Sequence, residues 1–456
     1  MQARALLLIF TAFAAGPGTL VPANAAPEPV PRVVTLAAAI ELATHNNADL
    51  LAKLTVLSAA DARRQQAEAA SFPKVTGTAI LSPIYAATGN ALDSDNDLHH
   101  WGAWLQSSVT VLQPVYAWGK LSSLREAAAR GIDVARAQAR KDTGELIYDV
   151  KELYYGAVLT EQLTSFLEDG KKEVDDIVAK TEEDQKKKRP TISKRDYYRL
   201  KIFAAEANYR ALEAAKLRFL ARHALSLRLG FDPNEETAPQ ETVLVPIEGT
   251  PPAEEQLVTQ MAAHRPEFAQ LTNGILAKRS LLEAERTNKF PVFFVGGMLT
   301  FAYSNVRTGQ QSAFAYDPYN RSTGGVGAGV QWTWDFATTL ANEAAIRVEI
   351  DELERREIYA KAGFRMELKK VLANLSESRD RLAASRDAFQ IGRRWLVAET
   401  MGYSIGLTEI KNLVDAYIAR AKTAQDHWES VYRVNMGWAE LSKTVGTEIT
   451  PGLGPH

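Results

Sequence analysis

Asp93, Asp95 and Asp97 alternate just ahead of His99-His100, a pattern that imitates the opening of a calcium loop beside an imidazole pair. A calcium loop of this type needs glycine at its sixth position and a bidentate glutamate at its twelfth. Leu98 and Trp104 stand there instead, which excludes an EF-hand and leaves the two histidines either a metal contact or part of a solvated loop. Gly324, Gly325, Gly327 and Gly329 form a glycine-rich run, but it leads into an alternating apolar stretch with no helix start to hold a phosphate. Lys186, Lys187, Lys188 and Arg189 form a basic run closed by Pro190, suited to plain solvation or to an acidic partner surface. P-loop, HExxH and zinc-spaced clusters do not occur, and with 0 cysteines there is no thiolate site, catalytic thiol, disulfide framework or lipoprotein anchor. The residues therefore argue for no enzyme, no cofactor and no metal centre.

What does vary along the chain is charge. Of 456 residues, 53 are Lys or Arg and 55 Asp or Glu, a net charge of −2 that lacks the basic footprint of a nucleic-acid binder. Yet four segments, 75–92, 101–118, 292–305 and 322–334, are nearly or wholly uncharged. They alternate with period two, the strand signature. Trp101, Ala103, Leu105, Val109 and Val111 share one face, and Gln106, Ser108 and Thr110 the other. Phe293, Val295, Leu299, Phe301 and Tyr303 line one side of the third segment; Val326, Ala328, Val330, Trp332 and Trp334 alternate with glycine, Gln331 and Thr333 in the fourth. Strands are expected at about 75–85, 101–113, 292–303 and 325–334, with polar loops at 86–100 and 304–321. Each is close to the 9–11 residues of a tilted transmembrane strand. The aromatics at their ends, Tyr85, Trp101, Trp118, Tyr303, Trp332 and Trp334, suit membrane–water girdles. An antiparallel sheet on a soluble core is the alternative, opposed by the absence of charge on both faces.

Helical composition fills the rest. From Lys120 to Gln185 and from Thr338 to Met401 there is no proline, so each run predicts a helix approaching 100 Å at about 1.5 Å per residue. Leu368, Leu375, Leu382, Phe389 and Leu396 recur every seventh residue, which predicts coiled-coil-like packing with this stripe as core. Beside it run the small residues Ser378, Ser385 and Gly392, and the basic Arg379, Arg386 and Arg393, which read as a solvated or lumen-facing surface. Shorter helices are expected at 36–70, 193–229, 253–288 and 408–445.

The chain also repeats itself. Phe72-Pro73 and Phe290-Pro291 open strands 218 residues apart; Gln113 and Gln331 end strands at the same offset; Gly230 and Gly446 each end a final helix; and His45 pairs with His264 at an early helix position. The organisation is a signal peptide at 1–25, a first repeat at 26–231, a linker at 232–252, a second repeat at 253–446 and a tail at 447–456. The leader rests on Arg4, the apolar stretch 5–15 and the small-residue site Ala23-Asn24-Ala25, which together predict export. Four strands cannot close a barrel, and open edges do not survive in lipid, so spanning a membrane would require oligomerisation.

The duplicated helix–strand–strand–helix–helix order, the Phe-Pro strand starts, Ala263-His264-Arg265-Pro266-Glu267, and Gly402-Tyr403-Ser404-Ile405-Gly406 ahead of residues 407–416 together resemble the TolC family of outer-membrane efflux proteins. That resemblance covers essentially the whole chain after the leader. It implies a mainly α fold with a β membrane part: a homotrimer with a 12-strand β-barrel in outer-membrane lipid and a long periplasmic α-helical barrel. It also implies an exit duct for tripartite efflux or type I secretion, working with a periplasmic adaptor and an inner-membrane transporter. By position, Tyr403 would match a tip aromatic and Asp415 a ring aspartate of the periplasmic gate. Thr408 stands where some members carry a basic tip residue and Asn412 where they carry a second aspartate, so the ring would hold three carboxylates rather than six. Tyr403 as an ordinary packed residue and Asp415 as an ordinary solvated one remain alternatives. Gly402, Gly406 and the run Lys186–Arg189 would form adaptor-contact tips, although a glycine-bearing turn is expected where the basic run stands. The competing reading is a periplasmic coiled-coil scaffold or adaptor that never enters a membrane.

Overall fold

The computed structural model describes residues 31–90, 93–187, 192–232, 234–310, 312 and 314–449. The expected leader at 1–25 and residues 450–456 of the tail lie outside them. In chain order the elements are β1 (Arg32–Val34), α1 (Leu36–Asn46), α2 (Ala48–Ala69), β2 (Lys74–Gly89), β3 (Ser94–Tyr116), α3 (Lys120–Gln185), α4 (Lys194–Arg228), β4 (Thr237–Pro239), α5 (Glu254–His264), α6 (Pro266–Arg286), β5 (Val292–Ser304), β6 (Arg321–Gln331), α7 (Phe336–Ser404) and α8 (Ile410–Val445). At about 1.5 Å per residue, the 66 residues of α3 and 69 of α7 each extend roughly 100 Å.

Two expected helices are each broken in two, and the breaks explain the repeat. Pro266 has no N–H and crowds the residue before it, so Arg265 leaves the helical region at φ −65°, ψ 122°. Asn47 does the same at φ −68°, ψ 113°, and its side chain then caps α2 by accepting from Leu50 N–H at 2.9 Å. The other end of the Asn47 amide donates to Arg228 O at 2.9 Å, at the close of α4. Arg265 donates from Nη1 to Thr444 O at 3.2 Å, at the close of α8. Both helix ends turn through glycines in the left-handed region, Gly230 at φ 85° and Gly446 at φ 86°. A Cβ on Gly230 would lie 2.5 Å from Asn46 O, and one on Gly446 would lie 2.8 Å from Arg265 Cα. Each repeat thus seals its final helix against its own first break. Asn47 and Arg265 are equivalents, which moves the expected histidine pairing by one residue: His264 corresponds to Asn46, not His45.

The heptad residues Leu368, Leu375 and Leu382 are buried. Along α8 they meet small partners; a Cβ on Gly437 would stand 3.0 Å from Leu375 Cδ1, and one on Gly392 of α7 only 2.6 Å from Thr423 Oγ1. Arg386 and Arg393 are exposed, and Arg379 is half-buried. The main core lies midway along the helices, joining Val34, Val150, Leu225, Leu257, Leu368, Leu375, Trp438 and Leu441. The segment 232–252 is not a free tether between the repeats. Its β4 pairs in parallel with β1, and Asn435, almost fully buried, clasps it: Oδ1 accepts from Ile247 N–H at 2.8 Å and Nδ2 donates to Val245 O at 2.9 Å.

The four long strands form one antiparallel sheet in the order β2-β3-β5-β6. The first hairpin is longer than its uncharged stretch suggests. Backbone pairing does not depend on side-chain polarity, so residues 86–89 and 94–97, expected in a loop, continue the ladder. Pairing passes from Tyr85↔Trp101 to Ala86↔Asp97, leaving Leu98, His99 and His100 as a bulge. The last strand is displaced the other way, starting at Arg321 and ending at Gln331, so Trp332 and Trp334 follow the strand rather than lie in it.

Candidate membrane belt and periplasmic tips

Alternation gives the sheet two unlike faces, and burial identifies them. Register aligns Leu81 with Leu105, Val109 with Leu299, Val75 with Val111 and Phe293 with Val330 on one face. This apolar face is the exposed one: Leu299 is 66% and Val326 92% accessible. Opposite it lie Ser82, Gln106, Ser108 and Thr110, all half-buried, and Thr300, only 8% accessible, with Thr76 and Thr78 exposed at the start of β2. A sheet on a soluble core has its apolar side covered. Here the apolar side is the uncovered one, the order that a sheet facing lipid would need.

The aromatics gather at the two ends of that face. Tyr85 and Trp101 meet edge to face at 6.2 Å, with Tyr303 on the same face one strand over. At the helical end, Trp118 packs on Tyr116 at 5.0 Å and on Phe290 at 5.1 Å, and Trp332 on Trp334 at 5.0 Å. Their indoles hold the strand starts, Trp118 Nε1 donating to Pro291 O at 2.8 Å and Trp332 Nε1 to Lys289 O at 3.1 Å. From Phe293 to Tyr303 is ten strand steps, about 34 Å, which a tilt near 40° turns into a height of about 25 Å, the apolar band of an outer-membrane barrel. Tyr116, Phe290 and Phe293 join these aromatic clusters; the sequence reading places Phe290 at a strand start and Phe293 on the apolar face, but counts none of the three among the end aromatics. Their neighbour Trp118 was the available signal.

The far ends of the helices carry the other candidates. After α7 the chain turns through a Schellman motif: Leu407 N–H donates to Gly402 O at 2.8 Å, Gly406 N–H to Tyr403 O at 3.1 Å, and Gly406 sits at φ 75°. Gly402 is tight because a Cβ there would reach within 2.4 Å of Thr408 Cγ2. Thr408 in turn donates from Oγ1 to Glu399 Oε2 at 2.7 Å. Tyr403 packs with Leu200, Ile192, Ile410 and Val414 in a small core that joins the two helical hairpins. Burial pushes its hydroxyl above the ordinary tyrosine range, despite a hydrogen bond with Thr181. Asn412 and Asp415 are not part of that cluster. Three residues apart on α8, they share its exposed face, while Ile410, Leu413 and Val414 take the buried one. Asp415 has no ion pair among the described residues.

At the other tip Lys188 and Arg189 lie outside the described residues. Lys186 is exposed, and Lys187 is held by Asp184, Nζ to Oδ1 at 3.1 Å. Asp184, which the sequence reading did not single out, is buried and organises this turn by also accepting from Ile192 N–H at 3.0 Å, while Gln185 Nε2 donates to Ile192 O at 2.6 Å. Higher up, Tyr417 of α8 donates to Glu173 of α3 at 3.1 Å, and burial, with that carboxylate, drives its hydroxyl strongly upward.

Residues 39–185 match the family described as outer membrane efflux protein. No curated protein matches the chain. Among solved structures, the fold is similar to the Campylobacter jejuni CmeC outer membrane channel, at 15% identity over 91% of this chain and 86% of that one, with a TM-score of 0.74. It is similar to the outer membrane protein VceC from Vibrio cholerae at 14% identity, over 90% and 96% of the two chains, TM-score 0.71. The open-state Neisseria gonorrhoeae MtrE outer membrane channel gives 15% identity, 91% and 89% coverage and a TM-score of 0.70. The resemblance to TolC-like channels read from the sequence is borne out, by sequence within 39–185 and by fold over nine-tenths of the chain.

Proposed function

We propose that this chain is the outer-membrane exit duct of a tripartite efflux or type I secretion system, exported by a cleaved leader and active as a homotrimer. One observation carries this reading: a sheet whose charged residues (Lys74, Asp95, Asp97 and Arg321) all lie at its ends, apolar on its exposed face, crowns helices roughly 100 Å long. Among the described residues, its edge strands β2, apart from Ala87, and β6 have no strand partner on their outer sides. Each unpaired backbone group in hydrocarbon costs several kcal/mol, so the edges must meet other copies. Three copies supply 12 strands, enough for a closed barrel. The scaffold alternative would leave Leu299, Phe301 and Val326 facing water.

The duct acts by shape and field rather than by bond chemistry. Around a threefold axis Asp415 gives a ring of three carboxylates at the periplasmic end, with Asn412 beside it as a neutral neighbour, and this favours cations. Tyr403 anchors the gate by packing rather than by lining it, and Gly402, Gly406 and Thr408 shape its turn. The tips, with Lys186–Arg189, meet an adaptor that links the duct to an inner-membrane transporter. The purified protein should run as a heat-modifiable trimer and conduct in planar bilayers, with Asp415→Asn lowering cation preference. A monomer extracted by urea from the soluble fraction would remove the duct reading, and unaltered selectivity in Asp415→Asn would remove the ring.

A further inference from the structure

The segment after β5 does not arch away from the sheet. Beyond Ser304 it first continues beside β3, Asn305 exchanging two bonds with Ala103: its N–H donates to Ala103 O at 3.3 Å, and its Oδ1 accepts from Ala103 N–H at 2.9 Å. It then reaches β2, which lies on the far side of β3. Ala87 N–H donates to Val306 O at 3.1 Å and Thr308 N–H to Ala87 O at 3.0 Å. To join β5 to β2 the chain must cross β3, and Gly102 marks the crossing. A Cβ there would lie 2.3 Å from Val306 Cγ1 and 2.4 Å from Asn305 Oδ1, so only glycine admits the passage. Residue 102 points to the same side of β3 as Trp104, Gln106 and Ser108, the polar, sheltered face.

The return path stays on that side. Tyr319 packs edge to face on Trp104 at 6.0 Å, and the Arg321 guanidinium, also on that face, lies 4.7 Å from the Tyr316 ring centroid. Arg307 is held between the Tyr85 and Tyr319 rings at 4.2 and 4.4 Å and donates to Tyr85 O at 2.9 Å. Asn320 joins the two limbs, accepting from Ser304 N–H at 2.8 Å and donating to Arg307 O at 3.0 Å. Asp317 accepts from the N–H groups of Gln310, Tyr319 and Asn320 at 2.9, 2.9 and 3.0 Å. The strand residues beneath this crossing, Ala302 and Ser304, are 3% and 4% accessible.

We propose that residues 305–308 and 316–320 form an inward-folded strap, seated on Gly102 and fastened by Arg307 and Tyr319, that narrows the outer mouth of the barrel and sets the size of what passes. The inference rests on the duct reading, since the sheltered face is a lumen only if the barrel closes. Three straps, one from each copy, would converge on the axis, and pore diameter is the first determinant of passage.

The absence of native cysteine makes the test direct. Ser108→Cys places a single thiol on the sheltered face inside the strap, and Thr88→Cys places one on the exposed hairpin tip as a control. In intact cells, a small charged methanethiosulfonate should label both, while a maleimide carried on a bulky polymer should label Thr88→Cys and be slow at Ser108→Cys. Gly102→Val, or Arg307→Ala with Tyr319→Ala, should raise the polymer rate at Ser108→Cys about tenfold and leave the small-reagent rate unchanged, as widening of a pore mouth requires. Equal reactivity of Ser108→Cys towards both reagents without any strap substitution overturns the proposal, as does a polymer rate that neither strap variant raises. Failure of even the small reagent to reach Ser108→Cys would instead count against the duct itself.

Discussion

Gly230, Gly446 and Gly406 all lie in the left-handed region, yet replacing each by alanine should have graded consequences. Any Cβ at such a φ costs about 1–2 kcal/mol. At Gly406 that is the whole penalty, because nothing lies within 4 Å of the added methyl. At Gly446 the methyl would also stand 2.8 Å from Arg265 Cα and 2.9 Å from Arg265 N and His264 O. These are backbone atoms at a helix break, locked by the Arg265 bond to Thr444, and they cannot swing away as a side-chain tip would. Overpacking of this kind adds about 1–3 kcal/mol, for a total of roughly 2–5 kcal/mol. Gly230→Ala faces Asn46 O at 2.5 Å and belongs in the same class. At this chain length about 2 °C of midpoint accompanies each kcal/mol, so Gly406→Ala should lose roughly 2–4 °C and the other two roughly 4–10 °C. Circular dichroism at 222 nm on detergent-solubilised protein, all variants at one scan rate, would measure this. Equal midpoints for Gly406→Ala and Gly446→Ala would refute the clash at the break, and a large loss for Gly446→Ala without one for Gly230→Ala would refute the equivalence of the repeats.

Val109 and Ser108 are adjacent but face opposite ways, so arginine should discriminate between them. Val109→Arg should cost about 2–4 kcal/mol of barrel stability and reduce heat-resistant trimer on gels, whereas Ser108→Arg should be tolerated and alter conductance; equal trimer yields would mean that the faces are wrongly assigned. Asn435→Ala leaves Ile247 N–H and Val245 O without their clasp. Val245 is 70% exposed, so its carbonyl turns to water and the cost should be about 1–3 kcal/mol, for Ile247 N–H alone, and limited proteolysis should then cut within 240–250. Protection there equal to the unaltered chain would contradict a role for the clasp. His427 is stacked on Phe389 at 5.1 Å, and burial, with Arg386 nearby, holds its pKa below the ordinary 6.5. The unfolded chain then binds a proton more readily, so the folding advantage is complete above 6.5 and diminishes as pH falls from there towards the lower folded value. His427→Gln should flatten the thermal midpoint across that window, and an unchanged slope would dismiss the linkage.

Local rules carried the sequence a long way where an element obeys a single period. The run without proline from Lys120 to Gln185 coincides with α3, and parity alone put Leu299 and Thr300 on different faces. The failures have physical causes as well. Asn47 offers no proline to announce the break after α1, and Pro266, which does announce one, is equally at home at the first position of a helix, so the pattern of apolar residues ran through both. The ladder beyond Tyr85 was missed because polarity was taken as the limit of pairing, which backbone groups ignore. Tyr403 was legible as a tip residue, but whether it lined or packed depended on Leu200 and Ile192, some two hundred residues earlier. The strap over Gly102 rests wholly on non-local contacts. Its one trace in the sequence was the only glycine in β3, whose meaning depends on what passes above it.

The two unpaired sheet edges have a genetic consequence. If a ring closes only when β6 of each copy meets β2 of the next, a chain with one spoiled edge still offers a sound one and can enter an assembly that it then leaves open. In a cell making equal amounts of sound and edge-damaged chains, random mixing leaves only about one trimer in eight free of the defect. A proline in the middle of β6 should therefore be dominant over the intact gene, whereas a chain whose helices fail to fold would never reach the ring and should be recessive.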